Sequence, residues 1–194
     1  MKIVGTDAAE VERALLAGEV SCPDCAGQLR PWGSARRRIV RRWGQVQRRR
    51  PRRSRCGGCG TTHVLISADS LLRRRDLAEA IGAALATTAA GHGYRKAAAA
   101  AGAPVSTTRW WLRRFRDIAE SVRVWFSVLA HDLDPLLAPI LATGTALGDG
   151  VEAIAVAARA ASLRLAPVEP WAFASKASRG RLISNAGWPW ASAG

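Results

Sequence analysis

The residues of this chain best suited to chemistry are four cysteines in two pairs, Cys22 and Cys25 in "CPDCAG" and Cys56 and Cys59 in "CGGCGT". Two C-x-x-C pairs supply four thiolates, the complement of a closed tetrahedral structural zinc site. The two-residue gap lets both thiolates of a pair reach one ion from a tight turn. Small residues after each pair, Ala26, Gly27 and Gly60, allow backbone amides to approach the sulfurs. Four protein ligands leave no open position, so the expected Zn2+ is structural rather than catalytic. A thioredoxin-like redox pair needs one C-x-x-C beside a βαβ pattern, which is absent, and nothing supports an iron–sulfur cluster. His63, four residues past Cys59, reads as an ordinary hairpin-end histidine, since four Cys already fill the site, with replacement of a cysteine as ligand the alternative.

Charge is the second chemical signal. The chain has 29 basic and 15 acidic residues, a formal net charge of +14, and all but three of the basic residues are Arg. Residues 26–75 hold fifteen Arg and a single acid, Asp69, so this segment alone carries a net charge of +14. Such a field attracts phosphate backbones and speeds their association. A basic face that serves only solubility is the bland alternative, and one acid among fifteen Arg argues against it. The expected phosphate contacts are Arg36, Arg37, Arg38, Arg41, Arg42, Arg48, Arg49, Arg50, Arg52 and Arg53. Trp32 and Trp43 are open to two readings, stacking on bases or covering the apolar side of a small ribbon.

These residues require a scaffold. Thirty residues lie between Cys25 and Cys56, room for a β-hairpin rather than a finger helix. The insert reads as two basic strands, 35–43 and 45–55, turning near Gly44, with Pro51 at an edge or a break. Residues 61–67 read as the last strand. A helix over 73–91 follows, with Leu77, Ile81, Ala84, Leu85 and Thr88 on one face. "YRKAAAAAGAPVSTTRWWLRRF" (94–115) then reads as two short helices around a turn at Gly102-Ala103-Pro104, the second capped by Ser106. Two short helices around a Gly-containing turn are the signature of a helix-turn-helix, whose second helix enters the major groove. That register turns Ala98, Ala101, Thr108, Trp111 and Leu112 to the core. It turns Ser106, Thr107, Arg109, Trp110, Arg113 and Arg114 toward DNA, to bind phosphates or guanine edges. An ordinary helical hairpin with a basic face is the alternative.

The second helix is expected to continue, because Trp111, Phe115, Ile118, Val122, Trp125 and Leu129 form an apolar seam. The seam either packs on a later helix over 150–166, whose stripe is Val151, Ile154, Ala155, Ala158 and Leu165, or joins two protomers into a homodimer through 111–129. Trp171, Trp188 and Trp190 are expected to cap the helical core. The fold class is therefore α+β, a four-cysteine zinc ribbon of β-hairpins followed by an all-α helix-turn-helix domain with C-terminal helices. The expected divisions are a lead-in over 1–18, the ribbon over 19–67, the helix-turn-helix over 73–131 and a helical tail over 132–194.

No P-loop, nucleophile elbow, His–carboxylate pair or metal-binding acidic trio appears, so no enzyme activity is expected. No signal peptide or membrane span is read, and the expected location is the cytoplasm, at the nucleoid.

The stretch from "CPDCAG" through "RRRIVRRWGQVQRRRPRRSRCGGCGTTHVL" to "STTRWWLRRF" resembles the zinc-binding N-terminal region of insertion-sequence transposases over about residues 15–130. Nearly the whole chain resembles a family of small bacterial zinc-ribbon and helix-turn-helix proteins associated with mobile elements. The resemblance carries over the knuckle cysteines and the recognition positions Ser106 to Arg114. The transposase catalytic acids do not carry over, so it implies DNA binding rather than strand transfer. The expected function is that of a non-enzymatic zinc-dependent DNA-binding protein, a mobile-element accessory factor or a transcriptional regulator. The alternatives are a zinc-ribbon module that docks on a transposase or polymerase, RNA binding through the ribbon, and an inactive truncated transposase.

Overall fold

The computed structural model describes residues 1–164 and 166–184. The first elements are β1 (Lys2–Val4) and α1 (Ala8–Ala17). Asp7 starts α1 by accepting from the amides of Ala9 and Glu10, and Gly18 ends it in the left-handed conformation. The stretch expected as a lead-in is thus structured, and Leu15 of α1 is fully buried beside Cys22, Leu29, Cys56 and Leu65.

The strands that follow are β2 (Leu29–Ser34), β3 (Arg38–Arg42), β4 (Gln45–Arg49), β5 (Arg52–Cys56) and β6 (Thr62–Ser67). They form a four-stranded sheet in the order β1-β6-β5-β2 and a separate two-stranded sheet, β3-β4. β1 runs parallel to β6, and the other pairs are antiparallel. The expected second basic strand, 45–55, is therefore two strands in two sheets. Pro51 has no amide to give a ladder, and the chain changes sheets there.

The helices are α2 (Ala78–Ala89), α3 (Tyr94–Ala101), α4 (Val105–Arg116), α5 (Ala119–Leu133), α6 (Ala146–Arg164) and α7 (Pro170–Ala177). The described residues are thus α+β. Residues 73–77, expected as the first turn of a helix, are not helical: Arg73 lies in a turn at φ 61°, and Asp76 and Leu77 make isolated β-bridges. The Arg41 amide donates to the Arg75 carbonyl (2.7 Å) and the Leu77 amide to the Arg41 carbonyl (2.9 Å), so β3 claims that backbone. Pro104, not Ser106, is the N-cap of α4, and no side chain caps the helix.

The expected long helix is two, broken at Asp117 and Ile118, where Ile118 leaves helical geometry at φ −118° and ψ 2°. The apolar seam survives the break because both parts pack inward. Trp111, Phe115 and Val122 are buried, and Ile118, Trp125 and Leu129 pack against the same core, which includes Ile154 and Ala157 of α6. The seam is covered within the chain, as the intrachain alternative expected. Trp171 packs on this core too, while Leu165, Trp188 and Trp190 lie outside the described residues. Among the described residues no helix is long and apolar enough to cross a membrane.

Candidate metal centre and nucleic-acid interface

Strand register builds the cysteine site. Leu29, just after the first pair, stands opposite Cys56 in the β2–β5 ladder, and the Gly57 amide donates to the Gln28 carbonyl. Each pair sits in a tight turn, closed by the Ala26 amide on the Cys22 carbonyl and the Gly60 amide on the Cys56 carbonyl. The four sulfurs lie within 4.8 Å of one another, with Cys22 Sγ 3.8 Å from Cys59 Sγ and Cys25 Sγ 3.4 Å from Cys56 Sγ. A tetrahedron of sulfurs at about 2.3 Å from a zinc ion has edges of about 3.8 Å, so the arrangement fits such an ion. Cys22 and Cys56 are buried and Cys25 and Cys59 exposed, so one cysteine of each pair faces the small core and the other faces solvent.

Backbone amides converge on the sulfurs, from Asp24 to Cys22 (3.4 Å) and from Gly58 and Cys59 to Cys56 (3.3 and 3.5 Å). Gly27 leaves room for the sulfurs, since a Cβ there would crowd Cys56 Sγ at 3.1 Å and Cys25 Sγ at 3.3 Å. The Thr61 hydroxyl and amide hold Cys59 down at about 6. The Cys59 amide lowers Cys56 against the cost of burial. At Cys25 the Gly27 amide favours the thiolate, but hydrogen bonds shared with Cys56 and Cys59 prevail and push the thiol up to about 12. Four thiols this close retain protons between them, and a divalent cation would displace those protons.

His63 is buried behind this site, with Nε2 3.4 Å from Cys22 Sγ and Nδ1 3.5 Å from the Met1 amine. Burial, and after it the Met1 amine, lower its pKa, against the opposing charge of Asp24. With its proton on Nε2, neutral His63 would donate to the Cys22 sulfur, the kind of outer contact that orients a metal-ligating group. Cys22, Asp24 and His63 also form a trio of metal-ligand type.

The arginines divide into two groups. Arg41 pairs with Asp76 (2.8 Å), Arg42 with Glu79, Arg49 with Asp69 (2.7 Å) and Arg52 with Glu12 (2.7 Å). Three of these acids, Glu12, Asp76 and Glu79, lie outside residues 26–75, and each is 35 or more residues from the Arg it pairs with. Arg53 donates to the Thr62 hydroxyl. Arg36, Arg37, Arg38, Arg48 and Arg50 make no ion pair among the described residues, and all but Arg38 are exposed.

The β3–β4 hairpin is fastened to the helices, not only to the ribbon. Besides the Arg41 and Arg42 pairs, its turn at Trp43 and Gly44, both with positive φ, lies against the turn between α3 and α4. A Cβ on Gly102 would come within 2.5 Å of the Trp43 carbonyl carbon. Gly102 is also left-handed at φ 59°, so two requirements fall on one residue.

On the helix pair the expected core residues Ala98, Ala101, Thr108, Trp111 and Leu112 are all buried. Ser106, Arg109 and Arg113 recur at helical spacing and are exposed, and Thr107 is half-buried. Trp110 and Arg114 are used otherwise. The Arg74 guanidinium stacks 4.0 Å from the Trp110 ring, and Arg114 donates to the Ser184 carbonyl.

Sequence reasoning missed three exposed aromatic rings with an arginine over each, Trp32 with Arg55, Trp43 with Arg42 and Tyr94 with Arg109, at 4.9–5.0 Å. The aromatic residues were visible, but their partners stand across a strand pair or a helix pair, except at Trp43. No family model, curated protein or solved structure matches the chain.

Proposed function

We propose that this chain is a non-enzymatic, zinc-dependent DNA-binding protein that serves a mobile element or regulates transcription at the nucleoid. In this reading Cys22, Cys25, Cys56 and Cys59 hold Zn2+, α3 and α4 form a helix-turn-helix, and α4 is its recognition helix. Zinc supplies folding energy to a sheet whose own core is small. The observation that carries the reading is the contact between the Trp43–Gly44 turn and Gly102. It joins the unpaired arginines of the hairpin and the Ser106, Arg109 and Arg113 row into one cationic body. The hairpin grips phosphates, which fixes register, and the helix row reaches base edges.

The experiment is fluorescence anisotropy with a mixed-sequence duplex over a salt series, with structured RNA as competitor. Affinity is expected to fall steeply, by roughly 10³–10⁵ between about 50 and 200 mM salt if about six to ten phosphates are contacted. No binding at low salt, or binding indifferent to salt, overturns the reading. Preferential capture by the RNA replaces DNA with RNA as the polyanion.

A further inference from the structure

A cavity of about 350 Å³ opens between the β3–β4 hairpin, α1 and the β1–β6 edge of the larger sheet. It is separate from the cysteine site and from the helix pair. Its apolar lining comes from Val4, Val11, Val40, Leu65 and Ile66. Ringing it are Arg38, Arg49, Arg50, Arg52 and Arg74, against one acid, Asp69. Asp69 is already neutralised, because Arg49 Nη1 donates to both its carboxylate oxygens at 2.7 Å. Arg52 is likewise held by Glu12. Arg38 and Arg50 have no ion pair among the described residues, so their charge is available to a ligand in the cavity. Ser67 lines the same cavity, and its Oγ is buried without a hydrogen-bond partner.

A buried hydroxyl without a partner costs free energy, and the usual remedy is a ligand or a water. A solvated basic surface accounts for exposed arginines but not for an apolar chamber beneath them. Ligand sites have this composition, mostly apolar walls with a few convergent polar groups, and the volume lies at the lower end of their range of roughly 300–1,000 Å³.

We propose that this cavity binds a small apolar carboxylic acid. Its body lies on Val4, Val11, Val40 and Leu65, its carboxylate meets Arg38 and Arg50, and Ser67 Oγ makes a polar contact inside. Guanidinium forks match a carboxylate in geometry and charge. The site is independent of the nucleic-acid reading, although Arg38 and Arg50 serve both.

The test uses the full-length protein and two probes of one shape, 2-naphthoate and neutral 2-naphthamide, in isothermal titration calorimetry. Saturable 2-naphthoate binding is expected, at least about tenfold tighter than that of the amide, since the difference is a charge-assisted hydrogen bond. Arg38→Ala with Arg50→Ala should reduce naphthoate affinity by a similar factor and leave amide affinity unchanged. Those two side chains make no ion pair, so the double variant is expected to fold. Ser67→Leu fills the cavity and should weaken both probes. Equal affinity for acid and amide, no saturable naphthoate binding, or a Ser67→Leu protein that binds as before overturns the proposal. Anisotropy with duplex DNA on the unsubstituted protein and on Ser67→Leu, which keep Arg38 and Arg50, reports separately on nucleic-acid binding. Loss of one activity with the other intact identifies which reading has failed.

Discussion

Arginines with the same local sequence do different work according to their partners. Arg41 meets Asp76, whose side chain is only 8% exposed. Arg41→Ala strips a nearly buried carboxylate of its cation, and we expect a loss of about 1–3 kcal/mol in chemical denaturation, with Asp76→Asn partly compensating in the double variant. Arg37 and Arg48 are exposed and unpaired, so their alanine variants should leave the melting curve unchanged. Each should lower duplex affinity and reduce the slope of log affinity against log salt by about 1. Loss of stability without a change in salt slope would mean that they are structural. At the metal centre, Cys56→Ser removes a buried ligand that also receives the Gly58 and Cys59 amides. We expect metal content to fall to background and the sheet to lose its cooperative melting transition. A variant with one zinc per chain and an unaltered melting curve contradicts the assignment of that ligand.

Hairpin and helix pair meet at Gly102, where a side chain has no room and the left-handed backbone is costly for any residue with a Cβ. Gly102→Ala incurs the left-handed penalty of about 1–2 kcal/mol and the collision with the Trp43 carbonyl as well. It should loosen the hairpin from α3 and α4 and abolish any change that DNA produces in Trp43 fluorescence. An unchanged stability in urea would show that the two turns do not press on each other in solution. This junction was not legible in the sequence. The Gly102 turn, the core face of the helix pair and the cysteine knuckles were, because each is set by local spacing and chirality. What local pattern could not give is competition between segments. Residues 73–77 have a helical pattern, yet Arg41 takes their backbone into a β-bridge. The strand 45–55 looked continuous, yet Pro51 sends its second half to pair with β2, a strand that residues 29–34 did not announce. Likewise, the seam from Trp111 to Leu129 has a helix period throughout, and only the folded chain contains the break at Ile118. Three of the acids that neutralise arginines, Glu12, Asp76 and Glu79, lie outside residues 26–75, so the net charge of that segment overstated the cationic surface.

At the scale of the whole molecule, we read a metal-clamped sheet and a helical body, joined by a basic hairpin, as a single grip for a polyanion. The two hydrophobic cores are separate, a small one around Leu15, Leu29 and Leu65 and a large one around Phe115, Phe126 and Ile154. Metal removal should therefore unfold the sheet with α1 and spare α2–α7, which far-ultraviolet circular dichroism would register as largely retained helix signal. The most direct measurement is metal content by mass spectrometry, coupled with salt-dependent duplex binding before and after chelation. We predict one zinc per chain, steep salt dependence, and affinity that drops on chelation and returns when zinc is restored. A protein without metal, or one whose affinity and salt slope survive chelation unchanged, contradicts this reading.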